Sequence, residues 1–406
     1  MSNVRPPHAP VPRSLVLAML LQFGIGGAVL PFITLLFLDR GLTFTQVSHI
    51  FAVSSAALLV SPFFWGMLAD RFVPLNRLYT WLNLLIFILL GVVSLQHSFA
   101  ALLVSFMAFY ACFNPSLVLL NPLSFFHLEN PRSQFGRLRA WGSLGWILPS
   151  GFVYGWMQLR GDMNLTITIH CGMAMAAAMI VVSRFLTHIP PGAAHVTPDM
   201  PSGTGYLAAV KRLLRNPAYL TALAVYFLVA SSFAVQAVFS APLLEEAGLA
   251  RRWIGPSQCI GVMLEIMLFR SQARLLGRLS ISSTILIGVV AMILRHLVFW
   301  QSDNLWLLVG SHLLTGMVIV YHHIGVSVLV NAIAPKEVRS TAQTLLILFG
   351  SGIGPMLANG VVGWITAASG QNLRMVFAFS TALAVAGGTL LVIRSRRLNA
   401  SVNPAA

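Results

Sequence analysis

Charge is what this sequence has least of. Only 9% of its 406 residues are Asp, Glu, Lys or Arg, where a soluble domain carries about 25%. Acid is scarcest, with 10 Asp and Glu against 25 Lys and Arg. A chain so poor in solvating groups cannot cover an ordinary globular surface, which excludes a soluble fold. Cysteine is scarce too: Cys112, Cys171 and Cys259 fall in separate apolar runs without metal-site spacing. They read as packing or lipid-facing residues. A nucleophile elbow, a phosphate-binding glycine loop, a His-rich metal cluster and an ATP-binding domain are all missing. These absences argue against an enzyme or a sensor, and any ATP-driven process would need a partner chain. No metal and no cofactor is expected.

What the chain does have is hydrocarbon. Hydrophobic residues make up 57% of it, and the mean hydropathy is +0.82. Apolar runs of about 20 residues, enough to cross a bilayer core, predict twelve membrane helices. They lie near 14–37, 46–68, 76–95, 98–124, 137–158, 165–187, 217–240, 253–273, 281–300, 305–333, 341–367 and 372–393. The first run is longer than the core of a cleaved signal peptide and reads as a retained span.

The net charge of +15 suggests nucleic acid until the charges are placed. With both termini cytoplasmic, 19 Lys and Arg lie on cytoplasmic loops and ends, and five lie outside (Arg40, Arg160, Arg251, Arg252, Arg374). That is the positive-inside asymmetry, and no nucleic-acid partner is expected. The remaining cation, Arg295, lies within a span.

Residues 187–205 bring four prolines, three glycines and then the basic run Lys211-Arg212-Leu-Leu-Arg215. This composition marks a cytoplasmic linker at 188–214, its basic end against anionic head groups. It joins an N-terminal six-helix half, 1–187, to a C-terminal half, 215–406. The halves resemble each other. Leu38-Asp-Arg-Gly41-Leu42 recurs as Glu245-Glu-Ala-Gly248-Leu249 at an offset of 207, and the same offset carries Arg71 onto Arg278. At offset 208, Gly142, Ser143, Val153, Gly155 and Trp156 repeat as Gly350, Ser351, Val361, Gly363 and Trp364. Parallel repeats of this kind imply an axis along the membrane normal and a substrate site between the halves near mid-membrane.

Only one acidic residue sits deep in an apolar run. Glu265 lies within Cys259-Ile-Gly-Val-Met-Leu-Glu265-Ile-Met-Leu-Phe269, where a carboxylate costs about 2.5–3.5 kcal/mol on insertion scales. It needs a partner, a proton or a water-filled cavity. The next two spans supply Arg295, then His322 and His323. Burial favours the neutral acid and a nearby guanidinium the ionised one, so a changing Glu265–Arg295 distance would take up and release a proton. A static buried ion pair fixing the two spans is the plainer alternative. A histidine could relay the proton. Adjacent residues on an α-helix point about 100° apart, so one of the two histidines is expected to face the pathway, with His323 favoured. Polar residues in other spans are candidate solute contacts: Gln22, Asn114, Asn121 and Gln236. Asn114-Pro115 and Asn121-Pro122 repeat at seven residues on one helix face.

The loop after the second span reads Gly66-Met-Leu-Ala-Asp70-Arg71-Phe-Val-Pro-Leu-Asn-Arg77. It resembles the major facilitator superfamily signature Gly-x-Leu-Ala-Asp-Arg-x-Gly-Arg, with Val73 in place of the second glycine and Arg77 as a displaced basic residue. The resemblance implies a conformational latch of Gly66, Asp70, Arg71 and Arg77, with Arg278 as the equivalent cation in the second half, where the Asp is lacking. A second segment, Phe135-Gly-Arg137-Leu-Arg139-Ala-Trp-Gly-Ser143-Leu-Gly-Trp146, is similar to the branch holding nucleoside–proton, phenylpropionate and lactose permeases. By that likeness Arg139 binds solute through paired donors, Trp146 stacks on a sugar or base, and Ser143 lies beside them. Arg139 as a head-group anchor and Trp146 as a packing residue are the alternatives.

Glu265 and Arg295 match charged positions of the same permeases, and His323 matches a histidine of the phenylpropionate permease. The chain departs from the branch in three places. Met317 and Val320 stand where lactose permease has a His-x-x-Glu pair. Ala234 and Ala237 stand where nucleoside permeases carry polar residues, and Val262 where they carry another. The resemblance implies an all-α membrane protein of twelve helices in two pseudo-repeated halves, working as a monomer in a bacterial cytoplasmic membrane. It implies proton-coupled symport of a small nucleoside-, sugar- or aromatic-acid-like solute, with the proton gradient as energy source. A uniporter or drug–proton exporter of the same fold is the alternative.

Overall fold

Hydrogen bonding decides the architecture, because a backbone in hydrocarbon must satisfy itself and helices do so within one segment. The computed structural model describes residues 11–128, 131–161, 163–186, 188–191, 204–276 and 279–402. Among these there is helix and no strand. The first six spans are α1 Arg13–Val29 with α2 Ile33–Asp39, α3 Phe44–Ala57 with α4 Ser61–Arg71, α5 Leu75–Leu95, α6 Phe99–His127, α7 Pro131–Arg160 and α8 Thr166–Ser183. A short amphipathic helix follows, α9 Thr204–Arg215. The last six are α10 Pro217–Glu246, α11 Ile254–Leu276, α12 Ile281–Gln301, then α13 Leu305–Gly310, α14 His312–Met317 and α15 Gly325–Ile333 in one span, α16 Arg339–Ile347 and α17 Gly354–Ala368 in the next, and α18 Leu373–Val402.

Twelve long helical segments are therefore present, as the hydropathy of the sequence requires. Ten are long and apolar enough on their own to cross a membrane. The other two, α7 and α11, carry Arg139 and Glu265 respectively. Both depart from pure hydrocarbon where the sequence places its candidate chemistry.

Breaks and caps follow local chemistry. Pro31 has no N–H to donate, and α1 ends before it, with Leu30 N–H bonded to Gly26. Thr43 opens α3 with a capping box, its hydroxyl accepting from Gln46 N–H while the Gln46 side chain accepts from Thr43 N–H. Asn216 and Ser280 cap α10 and α12 more simply, their side-chain oxygens accepting from Ala218 N–H and Ser283 N–H.

The chain divides into two compact units, 1–36 with 60–196, and 37–59 with 197–406. In the first unit α1 packs on α7 and α8, and α5 packs on α6 and α8. Two glycines bring α1 and α7 into backbone contact. A Cβ on Gly145 would stand 2.2 Å from the Leu20 carbonyl oxygen, and one on Gly27 would stand 2.3 Å from that of Trp146. Small residues of this kind let membrane helices meet where lipid offers no hydrophobic drive. In the second unit α18 packs on α10 and α12, α3 on α17, and α11 on α14.

The repeat is visible in the backbone. Gly41 and Gly248 both have positive φ, +82° and +93°, a conformation that glycine adopts at no steric cost. Gly41 N–H bonds the Leu38 carbonyl and Leu42 N–H that of Phe37; Gly248 and Leu249 bond Glu245 and Leu244. The same helix-ending turn is thus built twice.

Candidate functional site

In the first unit, the polar residues divide into those tied to the fold and those placed against rings. Gln22 is fully buried. Its amide donates to Ser116 Oγ at 2.7 Å and accepts from Asn83 at 3.2 Å. Asn83 donates also to the Tyr79 carbonyl, and Tyr79 O–H to that of Ser116. Gln22 thereby fastens α1 to α5 and α6. Asn114 is half-buried and donates to the Tyr110 carbonyl one turn back, while Asn121 is exposed.

Arg139 lies with its guanidinium carbon 4.2 Å from the centre of the Phe23 ring, a cation–π contact reaching from α7 to α1. Ser143 is buried one turn on. The half-buried Trp146 ring lies against Gly26, where a Cβ would come within 2.7 Å of it. Arg139, Ser143 and Trp146 thus sit along the seam where α7 crosses α1. In the loop after α4, Asp70 is half-buried and Arg71 and Arg77 are exposed, while a Cβ on Gly66 would meet open space. Arg278 and residues 192–203 of the linker lie outside the described residues.

In the second unit, Glu265 is 6% exposed and Arg295 fully buried. Glu265 is the one acid buried among the described residues. The Arg295 nitrogens Nε, NH1 and NH2 have no hydrogen-bond partner among those residues, so Arg295 and Glu265 are not hydrogen-bonded to each other. The guanidinium lies instead 5.0 Å from the Phe299 ring centre. Gly261 and Gly316 bring the Glu265 turn of α11 against α14: a Cβ on Gly316 would stand 2.6 Å from the Gly261 carbonyl oxygen and 2.7 Å from Glu265 N. Gln236 is buried, with no hydrogen-bond partner for its Oε1 among the described residues.

The two histidines are brought together on a distorted turn of helix. Residues Val318–Ile324 form a π-helical turn between α14 and α15, a distortion often found at functional sites. It sets His322 Nδ1 3.4 Å from His323 Nδ1. Both rings meet Tyr226 of α10, His322 stacked at 5.7 Å and His323 edge-on at 5.5 Å. Phe233, two turns along α10, meets His323 at 5.0 Å. A second π-helical turn, Leu348–Ile353, joins α16 to α17. Its Gly350 makes room for Tyr226, since a Cβ there would stand 2.1 Å from the ring.

Tyr226 and Phe233 were not singled out in the sequence, nor was the buried set Ser232, His296 and Ser380. Ser232 O–H donates to the Ser380 carbonyl at 2.8 Å, and His296 Nδ1 lies 3.0 Å from that hydroxyl. A tyrosine inside an apolar span is a weak signal by itself. Its neighbours come from residues nearly 100 or more positions away.

A family model spans nearly the whole chain, residues 13–379. The chain belongs to the MFS_1 like family. It is similar to the candidate nucleoside transporter YegT of Escherichia coli (strain K12), 25% identical over 352 residues covering 84% of this chain and 80% of that one. It is also similar to nucleoside permease NupG of Escherichia coli (strain K12), at 22% identity over 80% of this chain and 81% of NupG. A crystal structure of nucleoside transporter NupG superposes with a TM-score of 0.81 at 19% identity, over 94% of this chain and 98% of that one. That likeness establishes the fold. The chain is an integral membrane transporter of the major facilitator type, acting on a small molecule, and is not an enzyme.

Proposed function

We infer that this transporter is a proton-coupled symporter for a small organic solute of nucleoside, sugar or aromatic-acid type. It works by alternating access in a bacterial cytoplasmic membrane, with both termini inside. The single observation that carries the coupling is Glu265, buried to 6% exposure in a span without other acid. Taking up a proton removes the cost of holding that charge in hydrocarbon. Giving it up requires a compensating cation, and Arg295, buried in the next span with no hydrogen-bonded partner among the described residues, is the one this reading assigns.

The relatives named as nucleoside transporters support a solute with a ring and hydroxyls. Arg139 on Phe23, with Trp146 and Ser143 along the same seam, would supply guanidinium donors and a stacking ring. The histidine pair with Tyr226 would supply a second aromatic set. Ala234, Ala237 and Val262, standing where the resemblance expects polar residues, favour a solute less polar than a nucleoside.

The test is uptake into proteoliposomes under an imposed pH gradient, with nucleosides, sugars and aromatic acids as solutes. Glu265→Gln is expected to abolish accumulation driven by the gradient and to spare exchange of solute across the membrane. A variant that accumulates solute like the parent would overturn the coupling. Transport of every solute unchanged by collapsing the gradient would make the protein a uniporter.

A further inference from the structure

Helix α9 takes no part in the chemistry above. Ala209 and Leu213 fix it to the protein: they are 8% and 1% exposed and share a core with Ala334 and Val338. Its other side is open and mixed. Leu207 and Leu214 are 69% and 45% exposed, and Lys211, between them at helical spacing, shares their face. Arg212 and Arg215 are exposed one step round the helix. Between this side and the turn after α15 lies a cavity of about 650 Å³, whose walls include Lys211, Arg212, Arg215, Asn216, Ile333 and Pro335. Among the described residues no acidic side chain lines it. Asn216 offers no counter-charge, since its Oδ1 accepts from Ala218 N–H as the cap of α10.

We propose that this cavity binds the head group of an anionic glycerophospholipid. Three cations without an opposing acid select a head group of net negative charge over a zwitterionic one, whose own ammonium would be repelled. The volume suits a phosphate with its glycerol, within the range of small-ligand sites. The leucines decide between a lipid and a soluble phosphate. A free anion has no use for two exposed leucines beside the cations, whereas an acyl chain lies along them. The helix also leads directly into the span Pro217–Glu246, which puts it at head-group depth, where basic residues draw anionic lipid. A lipid seated there joins the linker helix to the turn after α15.

The experiment uses the full-length protein released from bilayers of equimolar phosphatidylglycerol and phosphatidylcholine, with retained lipid counted by native mass spectrometry. One phosphatidylglycerol should be held in preference to phosphatidylcholine. Lys211→Gln, Arg212→Gln and Arg215→Gln should each lower its retention about fivefold. Leu207→Ser with Leu214→Ser should weaken it further, and inorganic phosphate at millimolar concentration should not displace it. Equal retention of the two lipids, or unchanged retention in the triple glutamine variant, would overturn the assignment. Displacement by inorganic phosphate would make this a soluble-anion site and overturn it as well. All five side chains are exposed, so the variants keep the fold, and thermal unfolding checks this. No solute is involved, so the outcome is independent of the coupling at Glu265.

Discussion

Arg251 holds Asp39 in a two-pronged grip, NH1 to Oδ2 at 2.8 Å and NH2 to Oδ1 at 2.7 Å. Its Nε donates to Glu245. Asp39 and Glu245 belong to the two copies of the repeated glycine turn, so one guanidinium fastens both copies. Hydrogen bonding to Asp39 raises the Arg251 pKa above its ordinary value, against partial desolvation. The stability from that shift is present below the usual guanidinium range and is lost only as pH rises through the raised value.

Arg251→Lys, which loses the fork but keeps the charge, should therefore destabilise the protein by about 0.5–1 kcal/mol. That is the scale of a part-exposed pair. The loss should be the same from pH 6 to pH 9 in thermal unfolding of the purified protein. A loss that grows as pH rises within this window would contradict the pairing.

The same grip can be tested as a moving part. Cysteines in place of Asp39 and Arg251, in a chain whose three native cysteines are replaced by serine, stand an arginine's length apart, too far for a direct disulfide, and should be joined by a bifunctional methanethiosulfonate reagent of about that length. Alternating access by the inferred mechanism requires these turns to part in each cycle. Uptake should stop on cross-linking and return when reductant cleaves the bridge; full activity in the cross-linked protein would show that the turns stay joined throughout.

Arg295→Met should raise the unfolding temperature, or leave it unchanged, while abolishing transport. A fully buried guanidinium with no hydrogen-bonded partner among the described residues, and only the Phe299 ring against it, carries a desolvation cost that is poorly compensated. Replacing such a charge by an apolar side chain of similar length stabilises by about 1–3 kcal/mol in favourable cases. A marked drop in unfolding temperature would indicate a stabilising role for the charge in the resting protein.

Tyr226→Ala should raise the half-saturating solute concentration about tenfold or more, on the scale of a lost aromatic contact, with little change in expression. Gly350→Ala should do the same without touching the binding surface, because its new methyl displaces the tyrosine ring. Solute affinity that falls in the first variant and not in the second would separate the ring from its support.

Gly145→Ala should destabilise by about 1–3 kcal/mol, since its methyl meets the carbonyl oxygen of Leu20 rather than a movable side chain. Gly151→Ala, two turns along in open space, should be neutral or stabilise by about 0.5–1 kcal/mol through helix propensity. Thermal unfolding of the two variants side by side checks the contrast.

Much of this was legible beforehand because membrane helices obey a one-dimensional rule. The span expected at 281–300 is Ile281–Gln301, and that at 305–333 is Leu305–Ile333. The burial of Glu265 followed from its apolar surroundings, and the recurrence of Gly41 as Gly248 from a fixed offset. What stayed hidden depends on side chains meeting across helices. Gln22, a candidate solute contact, is bonded to Ser116 and Asn83, neither of which its place in the sequence names. The hydrogen bond absent between Glu265 and Arg295 could not be read from their places in adjacent spans. Tyr226 carried no motif, and its importance comes from two distant helical turns converging on it.

The π-helical turns carry one more consequence. Such a turn is what a helix makes of one surplus residue, accommodated locally so that the flanking turns keep their orientation. The segments 318–324 and 348–353 are therefore places where this chain can lose a residue and still close its helices in register. Shortening the first by one residue would leave a well-formed span whose neighbouring imidazoles no longer share a ring. In this transporter the meeting of His322, His323 and Tyr226 depends on a matter of length as much as on the identity of the residues.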